Sequence, residues 1–260
     1  MVRADRDVDT PARFDTVRVA GIDFADTDAP AALAWLLDSC SGPRPRPSVR
    51  LANAWSAVLA AGSPEYLDVL NGDGVTFPDG ASITGTMRVL RRGEYQHGRR
   101  VRGPSLFVDC MDAGRERGLR HFLLGTTDAT LEALSAQLQA RFPGVEISGT
   151  YSPPYRPLDE EFVDGCSRRV AESDSDIVWV ALGVPKQDLL AHELSQRLDV
   201  TCVGVGAAFD MLSGQIREAP LWMQRVGLEW LFRLAVEPRR LWRRYLLGNL
   251  AFIRLAWKHR

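Results

Sequence analysis

Two carboxylates, Asp73 and Asp79, lie in the Gly-rich, turn-prone stretch LNGDGVTFPDGASI at residues 70–83. A carboxylate held in a loop over a sheet edge can act as a general base, taking a proton from a hydroxyl nucleophile. PDG is equally an ordinary turn signal, and the residues alone leave both readings open. At the far end, residues 217–245 combine Arg and Trp at helical spacing. From Arg217 to the terminus ten Lys or Arg stand against three Asp or Glu, whereas residues 1–216 hold twenty-two against thirty. A formal net charge of −1 therefore conceals a basic end on an acidic body. Such an end suits an anionic partner: a phosphate, a membrane surface or a nucleic acid.

Three further segments have the composition of anion sites, because a strand-to-helix junction presents free N–H groups and a positive dipole end. LLGTTDAT (123–130) sets Gly125, Thr126 and Thr127 between a strand and a helix, a fit for a diphosphate. ALGVPKQD (181–188) adds Lys186 and Gln187. VGVGAAFD (203–210) resembles a GxG turn ending in Asp210 but lacks the third glycine of a dinucleotide fingerprint, which weakens an NAD reading. Asp174–Ser175–Asp176 mimics a metal-binding DxD, but it precedes its strand and so reads as a solvated turn. Cys40, Cys110, Cys166 and Cys202 are widely spaced, with no CxxC pair, which predicts core thiols, a reducing compartment and no zinc site.

These groups must be held by an α/β frame. Strands are expected at 49–53, 119–125, 145–151, 176–183 and 200–206, and helices at 127–142, 158–172 and 187–198, the last opened by Pro185. The alternation predicts a Rossmann-like, mostly parallel sheet flanked by helices, with a basic amphipathic helical appendage after a boundary near Gly214 (core 1–214, appendage 215–260). Residues 41–48 and 91–103 read as loops. The N-terminus is too polar for a signal peptide, and no apolar run approaches 18 residues, so a spanning segment is not expected. In the appendage, packing is expected over Trp222–Leu234 and membrane contact beyond Arg239.

The segments FPDGASI, RRVRGPSLF, LRHFLLGTT, VWVALGVPKQD, CVGVGAAFDMLSGQIREAP and GLEWLFRLAVEPRRLWRR, in this order over roughly residues 49–245, resemble the WecG/TagA/CpsF family of bacterial glycosyltransferases, glycosyltransferase family 26. The resemblance implies an inverting, metal-independent enzyme. It would transfer a sugar (N-acetylmannosamine, its uronic acid or a related hexose) from a UDP-sugar to a polyprenyl-diphosphate-linked acceptor, without further cofactor, at the cytoplasmic face of the membrane. It matches Asp79 to the base, with Asp210 the rival, and Arg100 and Gln187 to the catalytic site. Arg233, Arg240 and Arg243 match arginines that close over the nucleotide and touch the membrane. Gly125, Thr126, Lys186 and Gln187 are the expected donor contacts, Asn53 and Asp210 the acceptor ones. The chain departs from the family pattern at Leu51, where teichoic-acid members often carry Thr, and at Asp188, where PKQE is usual. A homo-oligomer remains open. A non-catalytic nucleotide- or nucleic-acid-binding α/β protein is the alternative, its nucleic-acid form disfavoured by the acidic body and the lack of a helix-turn-helix, RNP or zinc motif, and an NAD(P)-dependent oxidoreductase is disfavoured by the incomplete glycine fingerprint.

Overall fold

The computed structural model describes residues 14–41, 46–90 and 99–258. Parts of the two expected loops, residues 42–45 and 91–98, lie outside the described residues. An antiparallel hairpin, β1 (Thr16–Val19) and β2 (Ile22–Ala25), precedes a six-stranded sheet. The sheet comprises β3 (Ser48–Ala52), β4 (Val75–Pro78), β5 (Arg120–Gly125), β6 (Glu146–Tyr151), β7 (Ile177–Ala181) and β8 (Thr201–Gly204). They pair in the order β4-β3-β8-β7-β5-β6, and every pairing is parallel. The expected Rossmann-like α/β frame is thus present.

Both faces of a parallel sheet are covered by its crossover helices, so its central strands are apolar throughout rather than alternating with polar residues. β7 is buried at all five positions. Val178 and Val180 pack against helices Glu160–Ala171 and Lys186–Arg197, through Phe162, Val163, Leu190 and Leu194. Ile177, Trp179 and Ala181 face the opposite layer, with Leu36, Phe107 and Leu134. Trp179 meets the Phe107 ring edge-on at 4.8 Å between centroids, and its indole N–H donates to His121 Nδ1 at 3.1 Å. Burial pushes the His121 imidazole down to about 4, which keeps it the neutral acceptor this bond requires. All four cysteines are buried and unpaired.

The chain leaving β3 turns into helix Ala54–Ala60 on one face, while the chain leaving β8 turns into helix Ala208–Leu212 on the other. Connections that part in this way open a crevice at the carboxyl ends of the strands, where ligands bind in open α/β sheets.

Four findings differ from the sequence expectation. β4 lies in the stretch read as a loop, because its four residues sit between Gly74 and the PDG turn and end on Pro78, a proline tolerated at an edge strand. The hairpin and the first five helices, from Ala29–Ser41 to Gly103–Ala113, are also additional. Asp176 is no solvated turn residue. Its carboxylate accepts from the Arg120 backbone N–H and guanidinium and pairs with Arg46 at 3.6 Å, stapling the bottom of the sheet.

The appendage departs from the expected packing, in that its second half also contributes buried side chains to the core. Helix Leu221–Arg225 buries no residue, whereas Leu241, Phe252 and Ala256 are buried, Phe252 and Ala256 in one cluster with Ala54 and Ala57. Helix Gly248–Lys258 can lie close because Gly248 abuts Trp55; a Cβ there would come 2.9 Å from the indole ring.

Candidate active site

The carboxyl ends of β3, β4, β7 and β8, roofed by the appendage, enclose a cavity of about 200 Å³. Asn53, Asp79, Arg100, Gln187, Arg233 and Arg240 line it; Gly125, Thr126, Lys186, Asp210 and Arg243 do not.

Asp79 follows β4 directly, and its backbone N–H donates to Ala52 O at 2.9 Å, which ties the PDG turn to β3. Desolvation pushes its carboxyl up to about 6, opposed by Arg100, Arg102 and Arg233 and reinforced by Glu229. A carboxylate titrating near neutrality is well matched to accept a proton and return it to solvent. Asp73, the other acid of that stretch, does not line the cavity; its backbone oxygen accepts from Arg50 Nη1 at 2.6 Å.

Glu229, the glutamate of the EWLFR segment, crosses from the appendage to the core. It accepts from Arg102 Nε and Nη2, each at 3.0 Å, and lies 3.5 Å from Arg100 Nη1. Arg100 also donates to Gln224 O at 3.2 Å. Despite desolvation, the Arg102 hydrogen bonds hold Glu229 below its ordinary range. This fork is a charge-assisted bidentate pair, and it clamps the appendage over the crevice.

Both polar side-chain atoms of Gln187 are hydrogen-bonded within the protein. Its Oε1 accepts from Gly183 N at 3.1 Å and its Nε2 donates to Asp188 Oδ1 at 3.4 Å, so it fixes the turn that opens helix Lys186–Arg197. The glycines of the GVG turn accommodate these side chains: a Cβ on Gly204 would come 2.5 Å from Asp188 Oδ1. Asp188 lies beneath the cavity, where it accepts from Tyr66 Oη at 2.5 Å. Burial raises it to about 6, against the Tyr66 and Gln187 hydrogen bonds and the charge of Arg50. Arg50 is itself fully buried and donates to Ser48 Oγ, Thr76 Oγ1, Gly72 O and Asp73 O. Of the two departures from the family pattern, Leu51 faces the cavity and Asp188 supports it from below.

Asn53 caps helix Ala54–Ala60, its Oδ1 accepting from Trp55 N and Ser56 N, which leaves its amide NH2 as the group it can offer a ligand.

The remaining expected contacts are engaged elsewhere. Gly125 adopts φ +129° against the Ala181 backbone, where a Cβ would stand 2.4 Å from the carbonyl oxygen; close strand approach accounts for this glycine. Thr126, also at positive φ, donates to Asp210 Oδ1 at 3.2 Å. Lys186 turns away from the cavity, donating to Arg156 O at 2.5 Å and lying 3.8 Å from the Phe162 ring centroid. Arg243 is exposed beside the Trp242 ring.

Arg102, Glu229 and Arg244 complete the charged lining and were not singled out in the sequence. Arg102 had a signal, its i+2 spacing from Arg100 on an extended segment, which sends both side chains the same way. Five arginines (100, 102, 233, 240 and 244) face two carboxylates, Asp79 and Glu229, an excess of positive charge suited to a diphosphate. Arg233 Nε and Arg244 Nε are buried without a hydrogen-bond partner. Among the described residues no three His, Cys, Asp or Glu side chains converge as a metal site.

A carboxylate base facing an arginine cluster, at the carboxyl ends of a parallel α/β sheet, is the layout of a group-transfer site for a phosphate-bearing substrate. The chain belongs to the glycosyl transferase WecG/TagA/CpsF family, whose profile matches residues 17–260. It is 29% identical over 239 residues to an N-acetylglucosaminyldiphosphoundecaprenol N-acetyl-beta-D-mannosaminyltransferase of Bacillus spizizenii, covering 92% of this chain and 89% of the relative. It is 30% identical over 199 residues to a protein of the same description from Bacillus subtilis, covering 76% and 74%.

Proposed function

We propose that the protein transfers N-acetylmannosamine, or a closely related hexose, from a UDP-sugar to a polyprenyl-diphosphate-linked acceptor sugar by a single inverting displacement, with arginines in place of a metal. The observation that carries this reading is Asp79, raised to about 6 inside a cavity lined by five arginines. Asp79 takes the proton of the acceptor hydroxyl as its oxygen attacks the anomeric carbon. The bond from that carbon to the diphosphate oxygen breaks, and the electron pair stays on the diphosphate. Arginines that hydrogen-bond this developing charge more strongly than the ground state lower the barrier. The lipid-linked acceptor is supported by the descriptions of the two relatives.

Melting the protein with UDP, UDP-sugars or NAD in the presence of chelator tests the donor. At about 100 times Kd a ligand of the native state contributes roughly 2.7 kcal/mol, a rise of several degrees. UDP compounds are expected to give that rise and NAD none; a rise with NAD alone would sink the reading.

Because the proposed acceptor is lipid-borne, we propose that the enzyme works peripherally at the inner face of the cell membrane and that the appendage docks there. No described helix is long and apolar enough to cross a membrane. Most of the exposed large apolar side chains belong to the appendage, among them Trp222, Val226, Leu246, Leu250 and Ile253, interspersed with exposed arginines. Apolar side chains entering the headgroup region, with basic neighbours each contributing about 1 kcal/mol near an anionic leaflet, suit such docking. Replacing Leu246, Leu250 and Ile253 together by Ser is expected to lower sedimentation with phosphatidylserine-containing vesicles at least about tenfold, since each buried CH2 contributes roughly 0.8 kcal/mol. Unchanged sedimentation would remove this surface from the proposal.

A further inference from the structure

We propose that Trp230 and Tyr245 form an aromatic wall on which the ring of the accepting sugar stacks. The inference deepens the reading above and rests on it, since such a wall serves a sugar acceptor that enters this cavity.

The wall lies where two segments of the appendage meet over the cavity. Trp230 is on helix Glu229–Val236 and Tyr245 on the π-helical turn Arg243–Leu247. Both side chains line the cavity and are half-buried, with ring centroids 6.1 Å apart and planes inclined at 58°. The core fixes both ends of the wall. Glu229, one residue before Trp230, is pinned to Arg102, and Gly248, three residues after Tyr245, abuts the Trp55 ring. Asn249 also lines the cavity and adds an amide that can donate and accept hydrogen bonds. A pyranose suits this arrangement. Its flat C–H face is apolar and carries the positive edge that an electron-rich ring face attracts, while the hydroxyls around its rim need polar partners.

The direction in which the wall opens favours the acceptor over the donor. Trp230, Tyr245 and Asn249 are each followed in sequence by an exposed leucine: Leu231, Leu246 and Leu250. Neighbouring residues of a helix point about 100° apart, so the inner wall turns over directly into the outer apolar surface of the appendage. A substrate with a sugar head and a prenyl tail can lie across that edge, its sugar on the rings and its tail against the leucines. A UDP-sugar has no apolar part to place there.

Steady-state kinetics of the full chain with UDP-N-acetylmannosamine and a soluble acceptor, N-acetylglucosamine on farnesyl diphosphate, test the wall in wild type, Trp230→Leu, Tyr245→Leu and the ring-preserving Trp230→Phe. Leucine keeps apolar bulk and removes the ring face, so each Leu variant is expected to raise the acceptor KM roughly tenfold while the donor KM stays within about twofold of wild type. Trp230→Phe, which still offers a ring, is expected to raise the acceptor KM by less than about threefold. Tyr245→Leu lies on a separate element and carries the test if Trp230→Leu does not fold. Calorimetric titration with the same acceptor repeats the comparison without turnover. Unchanged acceptor KM and affinity in the Leu variants overturn the inference. So does a rise in donor KM as large as the acceptor's, which would make the wall structural or give it to the donor. Acceptor binding that weakens in the Leu variants of an enzyme that uses no UDP-sugar would keep the wall and refute the donor reading; a wild type that does not bind the acceptor would refute both.

Discussion

Asp79→Asn lowers turnover by roughly two to four orders of magnitude, leaves UDP affinity within a few-fold of wild type, and raises the melting temperature at pH 7. The first effect follows from losing the carboxylate that, among the described residues, alone combines a place in the cavity with freedom from a bidentate arginine pair; Glu229 is committed to Arg102. The third follows from linkage. The folded-state value of about 6 lies above the ordinary value of 3.8, so the native protein holds this proton more tightly than the unfolded chain does. The stability so contributed is complete below about pH 4 and is lost as pH rises through about 6. At pH 7 the desolvated anion is a burden that Asn removes, a trade between stability and activity. Wild-type turnover should accordingly rise with pH through about 6, following ionisation of the base, and the residual rate of Asp79→Asn should lack that limb. Melting curves and a pH–rate profile of the two proteins decide the matter. Near-normal turnover in Asp79→Asn would hand the role of base to another group, Asp210 first among them. Asp210 is outside the cavity and accepts from Thr126, so the Asp210→Asn variant is the paired control.

Glu229→Ala is expected to lower the melting temperature by about 6–12 °C and to expose the chain between Gly214 and residue 229 to limited proteolysis. Arg102 is 9% exposed, and after the substitution its remaining carboxylate is Glu218 at 3.6 Å. Removing one partner of a buried ion pair costs roughly 3 kcal/mol or more, which in a chain of this size corresponds to the stated drop. The appendage would then lose its polar clamp while keeping the Phe252 and Ala256 anchor. Turnover should fall as well, because Arg233, Arg240 and Arg244 reach the cavity only while the appendage is closed over it. The double variant Arg102→Ala with Glu229→Ala separates a clamp from two independent losses: coupled residues give a double variant closer in stability to the single ones than their sum. Additive effects, or a Glu229→Ala protein that melts with the wild type, would show that the pair does not hold the appendage.

The β-strands of the central sheet were legible because a parallel strand covered on both faces must be apolar along its whole length, and LRHFLLG, DIVWVALG and VTCVGVG have no other soluble use. β4 was hidden because its four residues carry the turn residues that its own ends require. The short helices between β3 and β4 were hidden for the same reason. Gly125 and Lys186 were assigned to ligand binding from junction composition. Composition cannot distinguish a glycine that admits a phosphate from one that admits the Ala181 backbone, nor a lysine facing the crevice from one capped by Arg156 O.

By itself the amino-acid sequence determined the α/β frame, the family, the carboxylate in the PDG turn and the basic, Trp-bearing end, because each is a local pattern of residue types. Only the tertiary structure decided which arginines meet that carboxylate. Glu229 reaches Arg102 across a separation of 127 residues, and Arg244 rather than Arg243 lines the cavity. Side-chain direction at such points depends on contacts between distant segments, and no local spacing rule carries that information.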